Sequence, residues 1–166
     1  MSGAASYPRR AALRLVQPAP VELQPIARFC GHCGHPPESV QPATRVCDRC
    51  GLGLVLETVV EAAPSAGAPF LVLDTALMIC AMSAAAQRDL AVDETEAVHR
   101  HVTELLVAAD AEPGTGASLA DVVVRAARGD GDTTTLAVRP ANTFGVFFQA
   151  RIAPCGPPRA ALVVLD

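Results

Sequence analysis

The chain has 166 residues, 51% of them apolar, and its net charge is near −4. This length accommodates one ordinary domain with a small appendage, and the apolar content is sufficient for a buried core. The negative charge gives no general attraction to nucleic acid, whose phosphates attract basic proteins. No apolar run has the length of a membrane span or of a signal peptide, so the sequence predicts a cytoplasmic protein without a membrane segment.

Two stretches of the sequence have the composition of connecting segments. Residues 1–27 contain four prolines and no sustained hydrophobic periodicity, which predicts a disordered leader. Residues 61–69, with two prolines and a glycine, predict a short linker. The linker separates a cysteine-containing module at 28–60 from a larger domain at 70–166.

The module at 28–60 contains two copies of a Cys-x-x-Cys-Gly pattern, at 30–34 and 47–51. Two residues between cysteines allow both sulfurs of one turn to bind the same ion, and two such turns complete a tetrahedral site. The glycine after each pair permits positive φ and allows backbone N–H groups to point at the sulfurs. The pattern therefore predicts a structural zinc ribbon whose metal ligands are Cys30, Cys33, Cys47 and Cys50.

Disulfides and a redox dithiol are the alternatives to a metal site. Disulfides would require an oxidising compartment. A redox pair normally begins a helix, whereas the residues after Cys50 have the pattern of a strand. His32 and His35 are possible substitute ligands, but four thiolates already complete the site. A site closed by four protein ligands leaves no position for water, which indicates a structural metal rather than a catalytic one.

Five apolar or alternating runs after residue 69 predict strands, and they are, in chain order, 70–73, 77–82, 133–139, 144–152 and 160–165. The first two are predicted to form a hairpin, although their connection lacks the glycine that a tight turn prefers. The last run is continuously apolar, which predicts a central strand.

Helix signals lie between these strands. The predicted helices are one capped by Ser83 that ends at Leu90, a short one capped by Asp93, and those at 103–109 and 119–128. The helix predicted at 119–128 has an apolar face, a capping box of Ser118 and Asp121, and a terminating Gly129. Consecutive strands joined by short turns then predict an α+β domain, with an antiparallel sheet covered by helices on one face.

This order of elements, together with FLVLD at 70–74, MSAAAQRDL at 82–90 and VTELL at 102–106, resembles the PAS domain family. The likeness covers residues 69–166. It implies a five-stranded antiparallel sheet, helices packed on one side, and a pocket between them that holds a small molecule in some members. The side chains that would line this pocket, or simply fill the core, include Phe70, Leu73, Ile79, Val123, Phe144 and Phe148.

The resemblance does not extend to the cofactor-binding members of the family. The cysteine-bearing helix motif of flavin photoreceptors is absent, and the helix at 119–128 lacks the histidine used by haem-binding relatives. Neither flavin nor haem is therefore expected, and the identity of any ligand is left open. Cys80 is predicted as a small buried residue in a strand and Cys155 as a turn residue.

These features together predict a non-enzymatic regulatory protein, in which a sensory or dimerisation domain is coupled to a zinc ribbon that binds a protein partner. Because the exposed sheet face is an interaction surface in this family, Phe147 is a candidate contact in a homodimer. The first alternative is a transcription-associated adaptor whose Arg28, Arg45 and Arg49 contact nucleic-acid phosphates. The second is a thiol redox enzyme, which would require a cysteine of low pKa.

Overall fold

The structure is a computed structural model that describes residues 24–38, 45–109, 118–143 and 145–166. Its elements are β1 (Ile26–Cys30), β2 (Val55–Val59), β3 (Phe70–Leu73), β4 (Ile79–Met82), α1 (Ala84–Leu90), α2 (Glu94–Ala97), β5 (Leu106–Ala108), α3 (Leu119–Ala127), β6 (Thr134–Pro140), β7 (Phe148–Gly156) and β8 (Ala160–Leu165). Two short 3-10 helices, Val60–Ala62 and Val102–Glu104, follow β2 and precede β5. None of these helices is long and apolar enough to cross a membrane.

All the strands named above belong to one antiparallel sheet, whose main path runs β1-β2-β7-β8-β3-β4. Strand β7 has two partners along one edge, because β6 pairs with Phe148–Ile152 and β2 pairs with the end of the strand, at Cys155 and Gly156. Strand β5 extends the sheet beyond β6. The hairpin β1–β2, which carries the first cysteine pair at its tip, is thus a continuation of the domain's sheet. The boundary predicted at 61–69 lies between segments that share this sheet.

The sheet has a buried cluster on each face. Leu71 and Leu73 point into the larger cluster, beneath α3, while Phe70 and Val72 point the other way, as alternation along a strand requires. The smaller cluster lies between the hairpin β1–β2 and the sheet, and consists of Phe29, Leu56, Phe70, Val72, Cys155, Ala160, Leu162 and Val164. Both faces of the central strands are therefore buried, which accounts for the continuous apolar run of β8.

The helix signals in the sequence largely correspond to the structure. The Ser83 hydroxyl caps α1 by accepting the Ala86 N–H at 3.2 Å. Ser118 caps α3 in the same way, and Gly129 follows that helix with φ of 83°. Helix α2 begins after Asp93 as predicted, although the Asp93 side chain makes no capping hydrogen bond.

The turn between β3 and β4 forms without the expected glycine. Leu77 adopts φ of 65°, a conformation that glycine would take at lower cost. The Asp74 carboxylate compensates, because its Oδ1 accepts the N–H groups of Ala76 at 2.8 Å and Met78 at 2.9 Å. The predicted hairpin is present, with Asp74 as its organising side chain.

The prediction of a helix over 103–109 was wrong. A single 3-10 turn at Val102–Glu104 gives way to strand β5, which pairs with β6. A short apolar run fits either period, and here the unpaired edge of β6 decides the outcome by supplying hydrogen-bond partners. Within 70–166 the described residues consequently contribute six strands to the sheet, where the resemblance implied five.

Candidate metal centre

The two Cys-x-x-Cys turns bring four sulfur atoms together. The Sγ atoms of Cys30, Cys33, Cys47 and Cys50 all lie within 4.8 Å of one another. The Cys30–Cys50 and Cys33–Cys47 separations are 3.6 Å and 3.9 Å. Sulfurs placed 2.3 Å from a tetrahedral zinc ion are about 3.8 Å apart. The cluster therefore has the dimensions of a tetrahedral thiolate site and could hold a metal ion such as zinc.

The same separations are too long for disulfide bonds, in which the sulfurs lie about 2.05 Å apart. All six cysteines of the chain are free thiols. The other alternative, a redox dithiol, lacks its structural setting. Strand β1 ends at Cys30, and no α-helix of the described residues begins at either cysteine pair.

The two Cys-x-x-Cys-Gly turns, called the metal turns below, share a backbone hydrogen bond and a positive φ at the glycine. The Gly34 N–H donates to the carbonyl of Cys30 and the Gly51 N–H to that of Cys47, each at 2.9 Å. Gly34 and Gly51 have φ of 74° and 66°, the positive values expected after each pair. The duplicated sequence thus folds into duplicated turns that present their sulfurs to a common point.

Backbone N–H groups also point at the sulfurs, as expected for thiolate ligands. The N–H groups of His32 and Cys33 approach the Cys30 Sγ at 3.4 Å and 3.5 Å. Each N–H···S contact stabilises the thiolate form of the cysteine, and the thiolate is the form that binds metal. This arrangement fits a cationic metal better than four neutral thiols.

The thiols differ in how the protein alone affects their pKa. Backbone N–H groups of Gly53 and Leu52 lower the pKa of Cys50 to about 6. Burial raises the pKa of Cys30 to about 12. A divalent cation would stabilise all four thiolates at once and offset the effect of burial at Cys30.

Gly53 is a further part of the site that the cysteine pattern did not indicate. A Cβ at this position would lie 2.4 Å from the Cys30 Sγ and 2.8 Å from the backbone nitrogen of His32. Real Cβ atoms essentially never approach so closely, so only glycine can lie against this sulfur. The signal in the sequence was the second glycine of Gly51-Leu52-Gly53, which no turn requirement explains.

The two histidines near the cluster make other contacts. The His35 ring nitrogen Nδ1 lies 3.1 Å from the carbonyl of Cys33. The His32 Nδ1 lies 3.1 Å from the Glu94 carboxylate, 62 positions away in sequence. The four thiols therefore remain the candidate ligands.

Glu94 connects the first metal turn to the sheet domain. One carboxylate oxygen pairs with His32, and the other accepts the Met82 N–H at 3.0 Å. The Glu94 backbone N–H donates to the Gln87 side chain at 3.2 Å. Glu94, the first residue of α2, thereby links the first metal turn to the end of β4 and to α1. No local pattern indicates such a contact, because its partners are distant in sequence.

The residues predicted to line a pocket lie on both faces of the sheet. Those in the larger cluster are Leu73, Ile79 and Val123, with Phe148 packed against them. Phe70 lies on the opposite face, because it is an odd number of positions from Leu73. Its ring meets that of Phe29 edge to face, with centroids 5.8 Å apart. Phe144 lies outside the described residues.

The predicted contact residues lie at the surface. Phe147 immediately precedes β7 and is 62% exposed. Arg45 and Arg49 are exposed, whereas the Arg28 Nε donates to the Glu57 carboxylate at 2.9 Å.

The two cysteines outside the cluster reverse their predicted environments. Cys80 is exposed on β4, where burial was predicted. Cys155 is buried within β7, where a turn was predicted. Cys155 is buried because β7 continues to Gly156 and pairs with β2, so that Cys155 lies in the smaller cluster.

The fold and the cluster define an antiparallel sheet domain with helices on one face and a cysteine-bearing hairpin on the other. Comparison with protein families and with curated proteins gives no match for this chain. Among solved structures, the chain is similar to the PAS domain of nitrogen regulation protein NR(II) from Vibrio parahaemolyticus. That similarity has a TM-score of 0.44 and 17% sequence identity, and it covers 60% of this chain and 88% of that one.

Proposed function

We propose that this chain is a non-enzymatic cytoplasmic regulatory protein, in which a PAS-like sensory or dimerisation domain is coupled to a structural zinc ribbon that binds a protein partner. The observation that carries the proposal is the four-sulfur cluster at the tip of a hairpin that is built into the domain's sheet. When a ribbon attached in this way moves, the paired strands and the shared core couple its movement to the domain.

Zinc is the metal that this donor set favours. Four thiolates in a tetrahedral arrangement are typical of structural zinc, and they leave no open position for a reacting molecule. The ribbon contributes few large apolar side chains to the buried core, chiefly Phe29 and Leu56. Metal binding would supply the folding free energy instead, on the order of 10–16 kcal/mol in comparable peptides.

The ribbon also presents an apolar surface suited to a protein partner. Val46, Leu52 and Leu54 are 48%, 73% and 47% exposed. Val46 and Leu54 face each other across an isolated bridge, and Leu52 lies in the turn between them. Clustered apolar side chains on a fixed turn are characteristic of protein interaction sites.

The nucleic-acid alternative has less support. All three arginines are exposed, but Arg28 is paired with Glu57, which leaves Arg45 and Arg49 without an ion pair among the described residues. Two arginines on a protein of net negative charge neutralise few phosphates. A steep decrease of DNA affinity with rising salt would favour this alternative over a protein partner.

Metal analysis and partner capture test the proposal together. We expect one zinc ion per chain in the purified protein. We also expect a discrete co-purifying partner that Leu52→Asp abolishes and Ile26→Asp retains. Ile26 is the matched control, since it is 58% exposed on the same hairpin but distant in sequence from the second metal turn. Absence of zinc from protein purified without chelators, or equal capture by both variants, would refute the proposal.

A further inference from the structure

A groove of about 540 Å³ lies between the metal turns and the outer face of the sheet. Leu54 and Leu56 line it from the ribbon, and Val72, Ala81 and Ala160 line it from the sheet. Sites for small molecules typically enclose about 300–1,000 Å³ and are mostly apolar with a few polar groups. This groove lies on the face opposite the helices, so it is separate from the interior pocket that the PAS resemblance implies.

The charged groups of the lining favour a cation. The groove includes two carboxylates, Asp74 and Glu94. Glu94 pairs with His32, whereas Asp74 has no ion-pair partner among the residues that the structure describes. The lining also includes Arg159, whose guanidinium donates to the carbonyl of Arg128 at 3.2 Å. The lining thus holds two carboxylates against one guanidinium, and Asp74 is the carboxylate that makes no ion pair among the described residues.

Asp74 also influences the sheet side of the groove. Burial raises the pKa of Cys80, and the negative charge of Asp74 raises it further. Cys80 lies in the lining beside Ala81 and is nonetheless exposed enough to report on occupancy. Asp74 thus contributes negative charge to the lining of the groove, and negative charge stabilises a bound cation.

We propose that this groove binds a small organic cation, with its apolar body against Leu54, Val72 and Ala81 and its ammonium group beside Asp74. The proposal rests on the proposed function in one respect, because the metal ion holds the ribbon side of the groove in place. The ligand class follows from an apolar lining combined with an unpaired carboxylate.

Three probes with one apolar body test the ligand class on the full-length, zinc-loaded protein. They are 4-phenylbutylamine, 4-phenylbutanol and 4-phenylbutanoate, and their affinities are measured by isothermal titration calorimetry. We expect the amine to bind at least about tenfold more tightly than the carboxylate, with the alcohol between them. The amine should also slow alkylation of Cys80 by iodoacetamide, followed by intact mass. Equal affinities for the three probes, or no binding of any, would overturn the proposal.

Two variants locate the site. Ala81→Trp fills the groove and should abolish amine binding, whereas Ala66→Trp, in an exposed turn outside the lining, should not. Asp74→Asn retains the Oδ1 acceptor for the Ala76 and Met78 N–H groups, so the turn is preserved. It should remove the preference for the amine while leaving the affinity for the alcohol unchanged. If neither Ala81→Trp nor Asp74→Asn changes the affinity for the amine, the proposed location of the site is overturned.

Zinc content measured on each sample separates the two proposals. A protein that contains zinc but binds no probe overturns the groove and leaves the proposed function standing. A protein that contains no zinc overturns the proposed function; absence of probe binding to it overturns the groove as well, whereas amine binding to it would show that the groove forms without the metal.

Discussion

Replacing Gly53 with alanine is expected to disrupt the metal centre, although it adds a single methyl group. The new Cβ would lie 2.4 Å from the Cys30 Sγ and 2.7 Å from the His32 Cβ. Atoms in ordinary van der Waals contact are roughly 3.5 Å or more apart, so the sulfur would have to move by about 1 Å. Metal–ligand distances tolerate only about 0.2 Å. Cys30 therefore cannot remain a ligand without rebuilding the turn.

The substitution is expected to remove one of the four thiolate ligands, together with its share of the zinc-binding free energy. Zinc binding contributes on the order of 10–16 kcal/mol in comparable peptides, which is about 3 kcal/mol per ligand. Because every 1.4 kcal/mol is a factor of ten, zinc affinity should fall on the order of 100-fold. The fall should appear in competition titrations against a chromophoric zinc chelator.

Gly51→Ala is the matched control for this experiment. A Cβ at position 51 meets no atom of the described residues within 4 Å, but φ there is 66°. The left-handed conformation costs alanine about 1 kcal/mol, equivalent to roughly fivefold in affinity. If the zinc affinity of Gly53→Ala lies within threefold of that of the parent protein, a Cβ at position 53 does not displace the Cys30 sulfur and the prediction is refuted. A larger loss for Gly51→Ala than for Gly53→Ala would contradict it as well.

Three further predictions concern the ribbon and its attachment, and a fourth concerns the candidate dimer contact at Phe147. Cys30→Ala combined with Cys47→Ala should remove zinc and make the ribbon susceptible to limited proteolysis; an unaltered cleavage pattern would contradict metal-dependent folding. Phe29→Ala should lower the free energy of unfolding by about 3–5 kcal/mol in urea titrations, since it empties the site beside Phe70. A loss below about 1 kcal/mol would show that the smaller cluster adds little stability. Glu94→Gln, which removes the charge paired with His32, should accelerate amide exchange at 30–34, while the exposed control Glu96→Gln should not. Phe147→Asp should leave folding intact but weaken self-association in analytical ultracentrifugation, and an unchanged mass would discard that contact.

Features with a complete local signal were predictable from the sequence. The capping residues Ser83 and Ser118 specify their helices through hydrogen bonds within three positions. The paired cysteine turns are equally local, and their positive-φ glycines were expected. The predicted strand at 160–165 has the same bounds as β8, because a strand that is buried on both faces is apolar throughout.

Features that depend on distant partners were not predictable in this way. Cys155 precedes a Gly-Pro-Pro sequence that indicates a turn, yet pairing with β2 keeps it in a strand. Strand β5 forms within the segment 103–109, where a helix was predicted, because β6 offers an edge. Gly53 and Glu94 acquire their roles only when the ribbon folds back on itself and onto the domain.

The position of the ribbon has a consequence for self-association through the sheet. Val72, Leu162 and Val164 would face water on an uncovered sheet, but here they are buried in one cluster with Phe29 and Leu56. A homodimer that used this face would have to displace the ribbon, at the cost of the apolar contacts that the ribbon makes. Metal removal should therefore both release the ribbon and expose an apolar face, and surfaces of that kind associate.

It follows that a bound metal ion should oppose self-association through the central sheet, whereas a contact at Phe147 would be compatible with the covered sheet. Sedimentation of the same sample before and after chelation distinguishes the two. A larger mass only after chelation indicates the central face, and an equal mass under both conditions, reduced by Phe147→Asp, indicates the end of the sheet. A mass that falls on chelation would contradict the opposition, because the ribbon itself would then have to form the contact between chains.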